Sequence, residues 1–252
     1  MSLTNFPNGI TSMGVPILGG QGLLTQGTSF FVDPVNGSDG NSGLDIKNAI
    51  ATLSKAQSLA TANQNDVVYY FPGSAGLTET AKVSWAKNFV HLVGVAAPVV
   101  TAGRARIKTT ATTSPMWDIT GSGCGFYNLQ WFHGVADAGA LVNVQVTGER
   151  NYFQDCHFAG IGNATQDATD AASLFINAGA ENLFRHCTIG LDTIGRGSGV
   201  NAELRFDGKA ARNVFEDCLF TCFVDTDTHL FVQEVDIEGT ASYTLYKHCM
   251  FW

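Results

Sequence analysis

Acid–base chemistry on a polymer needs carboxylates held in pairs, and the sequence offers three such groupings: Asp167 with Asp170, Asp192 with Arg196, and Asp225 with Asp227. Carboxyl groups roughly 5 to 9.5 Å apart can act as general acid and base, or as acid and nucleophile, in glycoside cleavage. Each grouping lies in a Gly/Thr-rich stretch without a hydrophobic pattern to hold it, where solvated turns are the ordinary outcome. His91, His133, His157 and His229 are isolated in the sequence. A nucleophile elbow, a phosphate loop and a dinucleotide fingerprint are absent, and the glycines of 121–125 have no helix after them. Asp33, Asp39 and Asp45 could offer oxygens to calcium, but without EF-hand spacing they read as turn residues. The cysteines and histidines show neither C-x-x-C nor H-x-x-x-H spacing, so no metal, cofactor or catalytic residue is expected.

What would position such residues is a repeat. Asn151–Phe158, Asn182–Ile189, Asn213–Phe220 and Thr244–Phe251 carry one pattern, with cysteines at 156, 187, 218 and 249, a period of 31 residues. A fixed period in this range means one supersecondary unit stacked on its own copies. Within the unit Phe153, Cys156 and Phe158 are apolar at gaps of three and then two, which one flat strand cannot place on one face. The residue in the gap is Asp155, His186, Asp217 or His248, with Asn128 in a related stretch. These types tolerate a left-handed backbone best after glycine, so the unit reads as strand, one-residue corner, strand. Stacked coils of that kind predict an all-β chain: a right-handed single-stranded parallel β-helix, rungs about 4.8 Å apart.

Stacking also constrains charge, because like charges on neighbouring rungs repel. Arg150, Glu181 and Arg212 form one alternating ladder, Arg185, Glu216 and Lys247 another, and Asp155, His186, Asp217 and His248 a third. The ladders are expected to fill the outward positions that a carbohydrate groove would use. Four of the six cysteines sit at the inward position and read as buried free thiols, in keeping with a reducing compartment.

Hydrophobic residues make up 45% of the 252, charged residues 14%, and the net charge is −8, which argues against nucleic acid as partner. No Asp, Glu, Lys or Arg occurs from Met1 to Val32. That segment is too broken by glycine and proline to span a membrane and lacks the basic start of a secretory signal. Residues 1–29 therefore read as an extended arm, with Phe6, Ile10, Val15, Ile17, Leu18, Leu23 and Leu24 as its partner-binding side chains. The β-helix domain is expected over 30–252, capped by a helix near 46–63, where Ile46, Ile50, Leu53, Ala56 and Ala60 recur at helical spacing. The polar segments 160–172, 190–202 and 221–228 recur at one place in the repeat and should emerge on one side, a usual binding face. Met250, Phe251 and Trp252 are expected to be buried by symmetry mates, most simply in a homotrimer.

The stretch Phe30-Phe-Val-Asp-Pro-Val-Asn-Gly-Ser-Asp-Gly-Asn-Ser-Gly43, with Ala49–Ala60 and Asp66–Ser74, resembles the opening of right-handed β-helix proteins of the pectate-lyase-like superfamily. The opening residues 1–16 are similar to small β-helix proteins of tailed-phage structural modules. With the uncharged arm, the missing catalytic cluster and the abrupt end, the resemblance points to a non-enzymatic virion protein decorating or cementing a phage capsid, the arm on the major capsid protein or another virion protein. The alternative it leaves open is a tail-spike-like β-helix that degrades or binds polysaccharide.

Overall fold

The computed structural model describes residues 11–12, 15–16, 27–97, 105–208, 210–225, 228–235 and 243–252. From Ser29 onward the chain winds as a parallel β-helix, nearly all-β, whose coils visit three parallel sheets in turn. The first sheet has eight strands, the second seven and the third six. The period of 31 is the register: Phe153, Phe184, Phe215 and Tyr246 pair in one column, and Phe158, Ile189, Phe220 and Phe251 in another. Successive rings of the first column stack with centroids 4.5 to 5.3 Å apart, inside a core that also buries Trp85, Trp117 and Trp131 completely.

The expected corner exists. Asn128, Asp155, His186, Asp217 and His248 have φ of 55, 53, 49, 53 and 51°, each between a first-sheet and a second-sheet strand. A second left-handed corner precedes six of the eight first-sheet strands, and its residues are Asn65, Phe89, Gly123, Arg150, Glu181 and Arg212. Arginine, glutamate and phenylalanine have no intrinsic leaning to that conformation. The next residue supplies the reason on the later coils. Asn151, Asn182 and Asn213 are buried one above another; Asn182 Oδ1 accepts from the Asn151 N–H at 2.9 Å and Asn213 Oδ1 from the Asn182 N–H at 3.1 Å. Their amides donate in turn to the carbonyls of Gly121, Gly148 and Gly179. The column satisfies the backbone that the corner exposes.

The charge ladders pair as their signs require. Arg150 Nε lies 2.6 Å and Arg212 Nε 2.9 Å from Glu181, and Glu216 takes Lys247 at 2.5 Å and Arg185 at 3.6 Å. His186 lies 3.8 Å from Asp155 and 3.6 Å from Asp217, and His248 lies 3.4 Å from Asp217. Cys156, Cys187 and Cys218 are buried in line and Cys249 half-buried, and all six cysteines are free thiols.

The capping helix is shorter than its spacing predicts. A 3₁₀ turn, Ile46–Asn48, ends where Ile50 forms a parallel bridge with Val32, and the α-helix is Leu53–Leu59 with Thr52 as N-cap. Strand pairing at Ile50 overrides helical periodicity, leaving Ile46 half exposed. Asp33, Asp39 and Asp45 accept hydrogen bonds from Val35 and Asn36, from Ala51 and Thr52, and from Lys47 and Asn48, so each carboxylate holds a turn or cap.

Under this cap lies Glu79, its carboxyl pushed up to about 7 by burial, then by Asp39, against the N–H of Leu53. A raised acid stabilises the fold below its unfolded value of 4.5 and withdraws that contribution as pH rises through about 7. Glu79→Gln is expected to remove about 3 kcal/mol of pH-dependent loss over that window, read by urea unfolding at pH 4.5 and 8. Parallel pH profiles for the two proteins would refute the assignment.

Candidate functional site

The segments 160–171, 190–200 and 221–228 all join the second sheet to the third, so they do emerge on one side, beside the outer face of the third sheet. Two polar groups lie there, one beneath the loops and one along the strands.

Beneath the loops is a charged cluster with almost no access to solvent. Arg196 Nε lies 3.3 Å from Asp167 and Arg196 Nη1 3.4 Å from Glu203; His229 Nε2 is also 3.4 Å from Glu203. Asn201 joins the set, accepting from Arg196 at 3.0 Å, lying 2.6 Å from His229 Nδ1 and donating to Asp167 at 2.7 Å. Ser173 donates to Glu203. The environments pull the carboxyls apart. Burial works to raise Asp167, but the N–H groups of Ser198 and Gly197, then Asn201 and Arg196, hold it below its ordinary value. Glu203 is raised, by burial first, against the opposing charge of Arg196. His229 falls to about 4 through burial and then Arg196.

Along the strands the register aligns Ser84, Asp118, Gln145, Phe175, Arg205 and Gln233, one per coil, on the outer face of the third sheet. Arg205 lies over the Phe175 ring, 4.9 Å from its centroid, and spans two carboxylates, Asp170 at 3.3 Å and Asp207 at 3.8 Å. Asp118 takes Lys82 at 3.6 Å and the Gln145 amide at 3.4 Å. The Asp170 side chain is half exposed and that of Asp207 about a third, so this strip, unlike the cluster, can meet a polymer.

Several sequence-based expectations change here. Asp167 and Asp170 share a loop, but the first is buried with Arg196 and the second faces Arg205. Arg196 pairs with Asp167 and Glu203, leaving Asp192 exposed. Asp225 is exposed, its N–H donating to the Arg196 carbonyl at 2.8 Å, and Asp227 lies outside the described residues. His229, isolated in sequence, belongs to the cluster. His91 accepts from the Gly125 N–H, His133 meets the Thr113 carbonyl, and His157 lies between Gln130 and the Gly190 carbonyl. The charge ladder of Arg185, Glu216 and Lys247 lies on the first sheet, so it leaves the third sheet's outer face open. Arg205, Asp207 and Asp118 escaped notice because strand residues alternating with core positions look like ordinary outward polar residues. The 31-residue period gave no signal for them, because these third-sheet rungs pair at an offset of 30, Leu174 with Leu204 and Phe175 with Arg205.

Of the arm, Thr11–Ser12 and Val15–Pro16 form an antiparallel pair; Phe6, Ile10, Ile17, Leu18, Leu23 and Leu24 lie outside the described residues, as does the Val15 side chain. Met250, Phe251 and Trp252 are 64, 46 and 67% exposed in the single chain. Among the described residues no helix is long and apolar enough to cross a membrane.

No protein-family model and no curated protein matches the chain. Solved structures do. A pectin methylesterase in complex with a hexasaccharide is similar at 14% identity and a TM-score of 0.51, over 88% of this chain and 80% of that one. Pectate lyase Pel9A is similar at 17% identity and 0.51, over 76% of this chain and 47% of that one. Pectin methylesterase PemA from Erwinia chrysanthemi is similar at 14% identity and 0.50, over 88% of this chain and 80% of that one. The expectation of a protein that is not an enzyme is corrected by these findings: it placed the ladders on the groove face, whereas one lies on the first sheet and two at the corners flanking it, and the similar structures are of enzymes that act on polysaccharide. At these identities the likeness establishes the fold alone, a parallel β-helix.

Proposed function

We propose that the protein is a polysaccharide-degrading β-helix that takes an extended glycan across the coils, along the outer face of the third sheet. The observation that carries this is Arg205, lying over an aromatic ring between two accessible carboxylates. Coils recur about every 4.8 Å, close to the length of one pyranose in an extended chain, so successive sugars meet successive rungs. Arg205, seated on the buried Phe175 ring, offers guanidinium N–H groups and Gln145 and Gln233 offer amides to hydroxyls, and Asp170 and Asp207 serve as the acid and base. In a tail-spike-like setting, residues 1–24 would attach the β-helix to a larger particle and Met250–Trp252 would pack against mates.

The test is incubation with a panel of plant and bacterial-surface polysaccharides, following reducing ends, unsaturated ends and released methanol. Asp207→Asn and Asp170→Asn are each expected to lower kcat by about 10² to 10⁴-fold, with circular dichroism unchanged. Binding without product would favour a carbohydrate-binding module on the same strip, and neither binding nor product would overturn the reading.

A further inference from the structure

We propose that the glycan the strip takes is uncharged, an inference that rests on the strip being the polysaccharide site. Two cations, Lys82 and Arg205, stand among three carboxylates, Asp118, Asp170 and Asp207. Both cations are already paired with carboxylates of the strip. Lys82 is drawn to Asp118, and the guanidinium of Arg205 is divided between Asp170 and Asp207 with one face on Phe175. The cation closest along the loops, Arg196, is buried between Asp167 and Glu203. The exposed charged groups of loops 190–200 and 221–225, Asp192 and Asp225, are again acids, on a chain of net charge −8.

A polyanionic glycan laid here would meet three carboxylates against two cations, and at low salt the repulsion from that excess reaches beyond contact. A divalent cation could reverse the sign only by bridging clustered carboxylates, yet among the described residues no three acids, histidines or cysteines are grouped to hold one. What the strip offers instead is side-chain amides and carboxylate acceptors, groups that hydrogen-bond the hydroxyls of neutral sugar rings.

The test is calorimetric binding of the full chain to neutral glycans (a galactomannan, a xylan and a β-glucan) and to acidic ones (polygalacturonate and alginate). Each is measured at low and at physiological salt, with calcium and with EDTA. The expected result is binding of at least one neutral glycan with a Kd that moves less than about twofold with salt, and polyuronate binding at least about tenfold weaker and unimproved by calcium. Asp118→Asn, which releases Lys82, is expected to strengthen polygalacturonate binding at low salt. Polygalacturonate bound more tightly than every neutral glycan, with or without calcium, overturns the inference but keeps the polysaccharide site. No binding in either class removes the site itself, and the inference with it.

Discussion

Arg196→Ala is expected to destabilise the protein by about 3 to 5 kcal/mol, far more than loss of any exposed charge. The guanidinium stands between Asp167 and Glu203, whose side chains are 4% and 0% exposed, and nothing else in the cluster carries a positive charge while His229 is neutral. Removing it leaves buried carboxyls facing each other without compensation. Arg196 also helps hold His229 down to about 4, so its loss lets the imidazole titrate higher. Urea unfolding gives the first number and the imidazole proton resonances the second. A destabilisation under about 1 kcal/mol would mean that water reaches the cluster and screens it.

Phe184→Ala is expected to cost about 3 to 5 kcal/mol through the void it leaves in the stack. Its ring lies 4.5 Å from Phe153 and 4.6 Å from Phe215, nearly parallel to both, and edge-on to Phe158. Coils above and below are locked to the same rungs by hydrogen bonds, so collapse around the void is restricted. The comparison variant Glu181→Gln, in the exposed ladder on the neighbouring corner, should change stability far less. A Phe184→Ala loss no greater than that of Glu181→Gln would show that the repeat, not the packing, carries the stability.

The sequence showed the solenoid because its signals are periodic and of the right chemical type. Asp155, His186 and Asp217 are residues that accept a left-handed backbone, so the first corner could be read from them directly. Arg150, Glu181 and Arg212 turn the second corner with the same φ, but their types suggest only surface charge. The buried asparagine after each was the clue, since a polar residue repeated at one period and next to a core strand needs a hydrogen-bonding reason. The helix went wrong at Ile50, where a tertiary strand bridge outweighed local spacing. The site was harder for a general reason. Asp170 and Arg205 lie 35 residues apart, and only the coil register, with the backbone N–H of Asp170 bonded to the Val200 carbonyl, brings the loop over the strand.

The column of thiols gives the molecule a built-in gauge of its own unzipping. Burial of Cys187 and Cys249, and for Cys218 the neighbouring Cys187 thiol and then burial, keeps these thiols protonated well beyond neutral pH, so a thiol-directed alkylating probe meets a thiolate only where a coil has come apart. Cys249 is already half accessible, while Cys218 and Cys187 sit one and two coils deeper, each sulfur directed at the carbonyl of an earlier phenylalanine. If the solenoid peels from that side, modification should spread along the ladder in the order 249, 218, 187, as a wave; if it melts as one body, all three should be labelled together.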